Sequence, residues 1–135
     1  NIRKYHNVNC LIINESELRH ELRQREGDVE EMAITLKEMI NSKYIAVTRG
    51  KDGAFLLNGN ELLVKCPGFA VKVVDKIGSG DALLALLSVC LYCNIDEDLS
   101  LFISSIAAAQ SVETIGNSVP VSKAKLLKII SHLLK

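Results

Sequence analysis

Two short apolar runs without polar alternation, Cys10-Leu-Ile-Ile-Asn14 and Tyr44-Ile-Ala-Val-Thr48, bracket a segment of helical periodicity. Runs of that kind read as strands buried on both faces, and strands separated by helices imply a sheet with helices packed against it. Between them, a helical stretch over 15–25 breaks at Glu26-Gly27. A second helix then starts at Asp28, with Glu31 three residues on to complete a capping-box pair. Val29, Met32, Ala33, Leu36, Met39 and Ile40 fall on one face of it.

Beyond Thr48, Gly50 and Gly53 punctuate a turn, and Asn58-Gly59-Asn60 reads as a hairpin between strands over 54–57 and 61–65. A further strand is expected over 71–74, after Pro67-Gly68. A long apolar helix should open near the Gly78-Ser79-Gly80 loop and run to about Cys93. Asp96 or Asp98 then caps a helix reaching about Thr114, stopped by Gly116-Asn117. Ser122 caps the last helix, with Leu126, Leu127, Ile130, Leu133 and Leu134 as its expected buried stripe. The fold class expected is α/β, one layered sheet with flanking helices in a single domain over 1–135.

Sixteen Lys and Arg balance 16 Asp and Glu, so no net charge points to nucleic acid or an anionic membrane as partner. The longest uncharged run, residues 82–95, falls short of the roughly 20 residues that a membrane span needs. Cys90-Leu-Tyr-Cys93 is formally a C-x-x-C pair, yet it sits late in an apolar helix rather than at a helix N-terminus that would stabilise thiolate. The four cysteines are therefore read as small buried hydrophobes. With no export signal in the polar opening segment, they favour the cytoplasm.

The informative segment is Asp75-Lys-Ile-Gly78-Ser79-Gly80-Asp81, a strand running into two glycines and then a helix. Glycines let backbone N–H groups converge, and a helix N-terminus adds partial positive charge, so the segment is an anion site. It is not a P-loop: counted from Gly50-Lys51, Ile45 stands where the first glycine belongs and Asp52 where Ser or Thr should follow. A dinucleotide fingerprint fails at Leu83, where a third glycine is required. A methyl-donor loop fails by one position, since Lys76 and Ile77 separate Asp75 from Gly78. Asp81 itself has two readings. It is either a helix-start aspartate favoured by the dipole, or a general base beside a transferring phosphoryl group.

These residues resemble the D-T-x-G-A-G-D signature of the pfkB (ribokinase-like) carbohydrate kinases. Asn14-Glu-Ser-Glu17 matches that family's N-x-x-E, and Thr48-Arg49-Gly50-Lys51-Asp52-Gly53 its T-x-G-x-x-G turn. The resemblance implies ATP-dependent phosphoryl transfer to a hydroxyl of a sugar or sugar phosphate. Asp81 would be the base, and the amides of Gly78, Ser79 and Gly80 the anion hole. Asn14 and Glu17 would help hold Mg²⁺ and its waters. Thr48, Arg49, Gly50 and Gly53 would approach the nucleotide. Adenine would lie against Ser104, Ala107, Ala108 and the Gly116-Asn117 loop. Asp75 matches the acid that binds a monovalent cation in some members, although Lys76 replaces the usual Thr and its ammonium competes for that place.

Members of the family carry their sugar-binding residues and lid strands in an N-terminal half, so the chain is expected to be the C-terminal, nucleotide-binding half. On that expectation it has little activity alone, and a homodimer would belong to the full-length protein. Residues Ala107 to Gln110 with Gly116-Asn117-Ser118 resemble the heptose-type sugar-phosphate branch, which can be fused to a nucleotidyltransferase. The alternative is a catalytically inactive kinase-like interaction module.

Overall fold

A computed structural model describes residues 2–60, 62–69, 78–113 and 119–134. Strand β1 (Cys10–Asn14) leads into helix α1 (Glu15–Leu22) and then α2 (Val29–Ile40). Strand β2 (Tyr44–Thr48) pairs parallel to β1, with Cys10 opposite Tyr44 and Asn14 opposite Thr48. A 3₁₀ turn over Gly50–Asp52 reverses the chain into β3 (Ala54–Asn58), antiparallel to β2, and β4 (Leu62–Cys66) pairs antiparallel to β3. The sheet order is β1-β2-β3-β4. Helices α3 (Ser79–Tyr92), α4 (Glu97–Ser111) and α5 (Lys123–Leu133) follow. The strand expected over 71–74 lies outside the described residues.

Side-chain alternation along the strands sorts the core into two layers. Ile13, Ile45, Val47, Phe55 and Leu57 pack with Leu18 of α1 and with Val29, Met32, Ala33, Leu36 and Ile40 of α2. On the other face Ala46, Ala54, Leu56, Val64 and Cys66 pack with Leu83 and Leu87 of α3 and Leu101 of α4. Both faces of the sheet are thus covered by helices, which is why its parallel strands lack polar alternation.

Four local expectations are corrected. Helix α1 ends at Leu22 rather than Arg25, because Arg23 turns left-handed and the Gln24 N–H bonds back to the Arg19 carbonyl at 3.0 Å. In α2, Met39 is 41% exposed and Lys37 is buried instead, the two residues flanking on opposite sides the face that Leu36 and Ile40 define. Helix α4 stops at Ser111, short of Thr114. The stripe expected on α5 is not buried: among the described residues its main packing is on α4, and Leu127, Leu133 and Leu134 are exposed.

Candidate active site

The parallel pairing of β1 and β2 sets two of the sequence motifs side by side. Asn14 ends β1 directly opposite Thr48, so the N-x-x-E segment and the T-x-G-x-x-G turn share the C-terminal edge of the parallel pair. That edge is where open α/β sheets hold their ligands.

Asn14 is the N-cap of α1, and the cap is reciprocal. Its Oδ1 accepts the Glu17 N–H at 2.8 Å, while Glu17 Oε2 accepts the Asn14 N–H at 3.1 Å. This full capping box stands at Asn14, whereas Asp28 at the start of α2 makes only the forward half, accepting the Glu30 and Glu31 N–H groups. Asn14 thus orients Glu17. Among the described residues, the second Glu17 oxygen takes part in no hydrogen bond that would compete with a hydrated cation.

Sequence reasoning missed Glu15. Its carboxylate accepts from Arg19 Nε and Nη2 through one oxygen, at 3.0 and 2.8 Å, and from Arg49 Nε through the other at 2.9 Å. The Arg49 bond, then the Arg19 bonds, hold the Glu15 carboxyl below its ordinary range, and Glu15 in turn raises Arg49. The Glu15–Arg19 spacing of four residues was readable as a helical pair. The Arg49 partner was not, because it comes from the neighbouring strand. With Nε engaged, Arg49 keeps a fixed orientation, and among the described residues its two terminal nitrogens remain for an anion.

The turn after Thr48 depends on Gly53. Its φ is +86°, and a Cβ there would lie 2.0 Å from the Cys66 carbonyl oxygen. Gly50 also has positive φ, +58°, but faces open space. The turn is closed by Arg49 N–H to the Gly53 carbonyl at 2.7 Å.

Helix α3 begins at Gly78, which is left-handed at φ 88° and ψ −8°. The first helical bond runs from the Ala82 N–H to the Gly78 carbonyl at 2.9 Å, so the amides of Ser79, Gly80 and Asp81 precede the helical ladder. Asp81 is exposed in that first turn, and a side chain at Gly80 would meet no neighbour. One and two turns on, Leu83 and Leu87 anchor the helix to the sheet.

Of the residues expected near adenine, Ser104, Ala107 and Ala108 lie on α4. Ser104 and Ala107 are fully buried on the packed side of α4, where Ser104 Oγ donates to the Ser100 carbonyl at 2.6 Å. Neither presents surface to a flat base, whereas Ala108 is half-buried. Asp75, Gly116 and Asn117 lie outside the described residues. A cavity of about 200 Å³ beside Arg49, lined also by Glu30, Asp52, Phe55 and Lys65, is too small for a nucleotide and is crossed by the Lys65–Glu30 ion pair. The cysteines match the inert reading in part. Burial pushes the Cys10 thiol up to about 11 and raises Cys66 and Cys90, but Cys93 is exposed.

The sequence model described as pfkB family carbohydrate kinase matches residues 2–124. The chain is 33% identical over 93 residues to the bifunctional protein HldE of Campylobacter fetus subsp. fetus, covering 69% of this chain and 20% of that protein. It is 29% identical over 133 residues to the HldE of Geotalea uraniireducens, covering 96% and 27%. Among solved structures, Escherichia coli phosphofructokinase-2 in complex with substrates and products superposes with a TM-score of 0.82 at 19% identity, covering 96% of this chain and 42% of that one. Ribokinase from Thermotoga maritima does so with a TM-score of 0.78 at 24% identity, covering 91% and 42%. The chain therefore spans about a quarter of the curated relatives it matches and less than half of the solved ones.

Proposed function

The chain belongs to the pfkB family of carbohydrate kinases, with the ribokinase-like fold, and on that premise we propose that it carries the nucleotide site, anion hole and catalytic base of an ATP-dependent sugar kinase. The acceptor is a hydroxyl of a sugar or sugar phosphate. Similarity to bifunctional HldE proteins favours the heptose-type branch.

The observation that carries the reading is the start of α3. A left-handed glycine there leads into a helix whose first-turn amides precede the ladder, with an exposed carboxylate among them. Asp81 takes the proton of the attacking hydroxyl, which raises its nucleophilicity as the new O–P bond forms. The amides of Gly78, Ser79 and Gly80 donate to the anionic oxygens of the transferring group, where charge is greatest in the transition state. Thr48, Gly50 and Gly53 shape the turn against the nucleotide, and Arg49, oriented by Glu15, faces its phosphates. Of the group expected to contact adenine, Ala108 is the member with surface to offer.

Asn14 and Glu17 would help hold a hydrated Mg²⁺, the capping bonds between them fixing the orientation of the Glu17 carboxylate. Mg²⁺ when bound neutralises phosphate charge. Escherichia coli phosphofructokinase-2, which shares the fold, is also known in complex with potassium, and Asp75 is the acid assigned to a monovalent cation in this reading.

The test is coupled ADP release by a protein in which the chain is joined to the rest of its kinase fold. Asp81→Asn should lower kcat by about 10²–10⁴-fold with the thermal midpoint unchanged. Activity that survives the substitution would remove Asp81 from the mechanism. Absence of turnover in both proteins, across sugars and sugar phosphates, would favour the inactive interaction module.

A further inference from the structure

The tip of the β3–β4 hairpin is fastened to helices on both faces of the sheet. Asn58 Nδ2 donates to Glu97 Oε1 in the first turn of α4, and Asn60 Nδ2 donates to Glu38 Oε1 of α2 at 2.7 Å. Asn58 ends β3 opposite Leu62 and is half-buried, so its amide ties the end of the hairpin to the start of α4. That tie matters because Asp96, the N-cap of α4, makes no side-chain capping bond. Both fastenings run from a neutral amide to a carboxylate and gain from its charge.

Asn58 is also the one asparagine of the chain that is followed by glycine. Asparagine is a thermally labile residue, because the peptide nitrogen that follows it can close a five-membered ring on its Cγ. A Cβ on the following residue crowds that ring. Gly59 has none, sits at φ +66°, and a Cβ built there would meet no atom within 4 Å. It is exposed to water, and its N–H donates to no group among the described residues, so no bond has to break before the nitrogen is available. The restraint that the structure does provide is Glu97. By accepting from Nδ2 it holds the amide in one orientation and feeds electron density into Cγ, which makes that carbon a poorer electrophile.

We propose that Asn58-Gly59 is a site of self-modification by deamidation, and that Glu97 is the latch that slows it. The Gly59 N–H gives its proton to solvent hydroxide as its nitrogen bonds to Asn58 Cγ. The Cγ–Nδ2 bond then breaks, and ammonia leaves with a proton from water. Water opens the resulting succinimide at Cγ, which leaves aspartate, or at the backbone carbonyl carbon, which leaves isoaspartate. The net change is one ammonia lost and one water gained, with no oxidant or reductant. The aspartate product sets a carboxylate against Glu97 where a donor stood, and repulsion at contact exceeds the attraction that a helix N-terminus offers to a second negative charge. Isoaspartate lengthens the hairpin by one backbone carbon. Either product releases the end of β3 from α4. The inference is independent of whether Asp81 acts as a base.

Peptide mapping by mass spectrometry tests it on the 135-residue chain incubated in mildly alkaline buffer. Replacement of NH₂ by OH should accumulate at position 58 faster than at any other asparagine, as a mixture of aspartyl and isoaspartyl peptides. Glu97→Ala should speed the conversion severalfold. Glu38→Ala loosens the same hairpin tip through Asn60 and should leave the rate at position 58 unchanged, which separates the latch from general loosening. Gly59→Ala should suppress the reaction. Asn58→Asp should lower the thermal midpoint by about 3–10 °C at neutral pH. That deficit should close in acid, where a protonated carboxyl donates across the contact. Conversion at position 58 no faster than at the other asparagines would overturn the proposal. So would a rate that Glu97→Ala leaves unchanged, or an Asn58→Asp midpoint equal to that of the parent chain.

Discussion

At the residue scale, the two glycines of the turn after Thr48 look equivalent in sequence and differ in space. Gly53→Ala forces a Cβ into the Cys66 carbonyl and the Pro67–Gly68 backbone at a φ that L-residues avoid. It should cost at least about 2 kcal/mol. Gly50→Ala meets open space and pays only for the left-handed conformation, about 1 kcal/mol. Chemical denaturation of the two variants checks the contrast. Glu15 gives a pH-dependent prediction. Arg49 first, and Arg19 second, favour its ionised form in the folded state. Its contribution is therefore full at neutral pH and disappears as the pH falls through its lowered pKa. Both partners are partly exposed, so Glu15→Gln should cost about 0.5–1 kcal/mol at pH 7, with the difference vanishing in acid. A Glu15→Gln protein whose deficit grew on acidification would contradict the assignment. In the sequence Glu15 was merely one of several helix-start acids, because its decisive partner is a residue of the neighbouring strand.

At the element scale, helices and strands were legible wherever the pattern was local. The apolar runs at β1 and β2, the Asn-Gly-Asn turn and the caps at Asp28 and Ser122 all appear in the structure. Helix ends were less legible, since Arg23 ends α1 by adopting a left-handed conformation that no residue type there demands. Burial was least legible on α3 and α5, where apolar periodicity exists without a covering surface in the described residues. This yields a paired prediction in thermal or chemical unfolding. Leu87→Ala, at a fully buried position between α3 and the sheet, should cost about 2–5 kcal/mol. Leu127→Ala on α5, 52% exposed, should stay within about 0.5 kcal/mol. Comparable losses at both sites would mean that α5 is covered in solution.

At the scale of the whole molecule, zero net charge combines with exposed apolar side chains on α3 and α5. Electrostatic repulsion is then weakest near pH 7, and the chain should be least soluble there, with solubility rising toward pH 5 and pH 9 by about the amount that net charge confers. Solubility across that range checks it. A minimum elsewhere would show that buried or paired charges dominate. The sequence by itself determined the order of the three motifs and the α/β class, because each depends on neighbours within a few residues along the chain. Tertiary structure decided which motifs meet and which surfaces close. Parallel pairing sets Asn14 beside Thr48 and brings Arg49 to Glu15. The packing of α4 buries Ser104 and Ala107, and the sheet order among the described residues leaves β1 at an edge. These outcomes depend on elements far apart in the chain lying side by side, and no local periodicity encodes that.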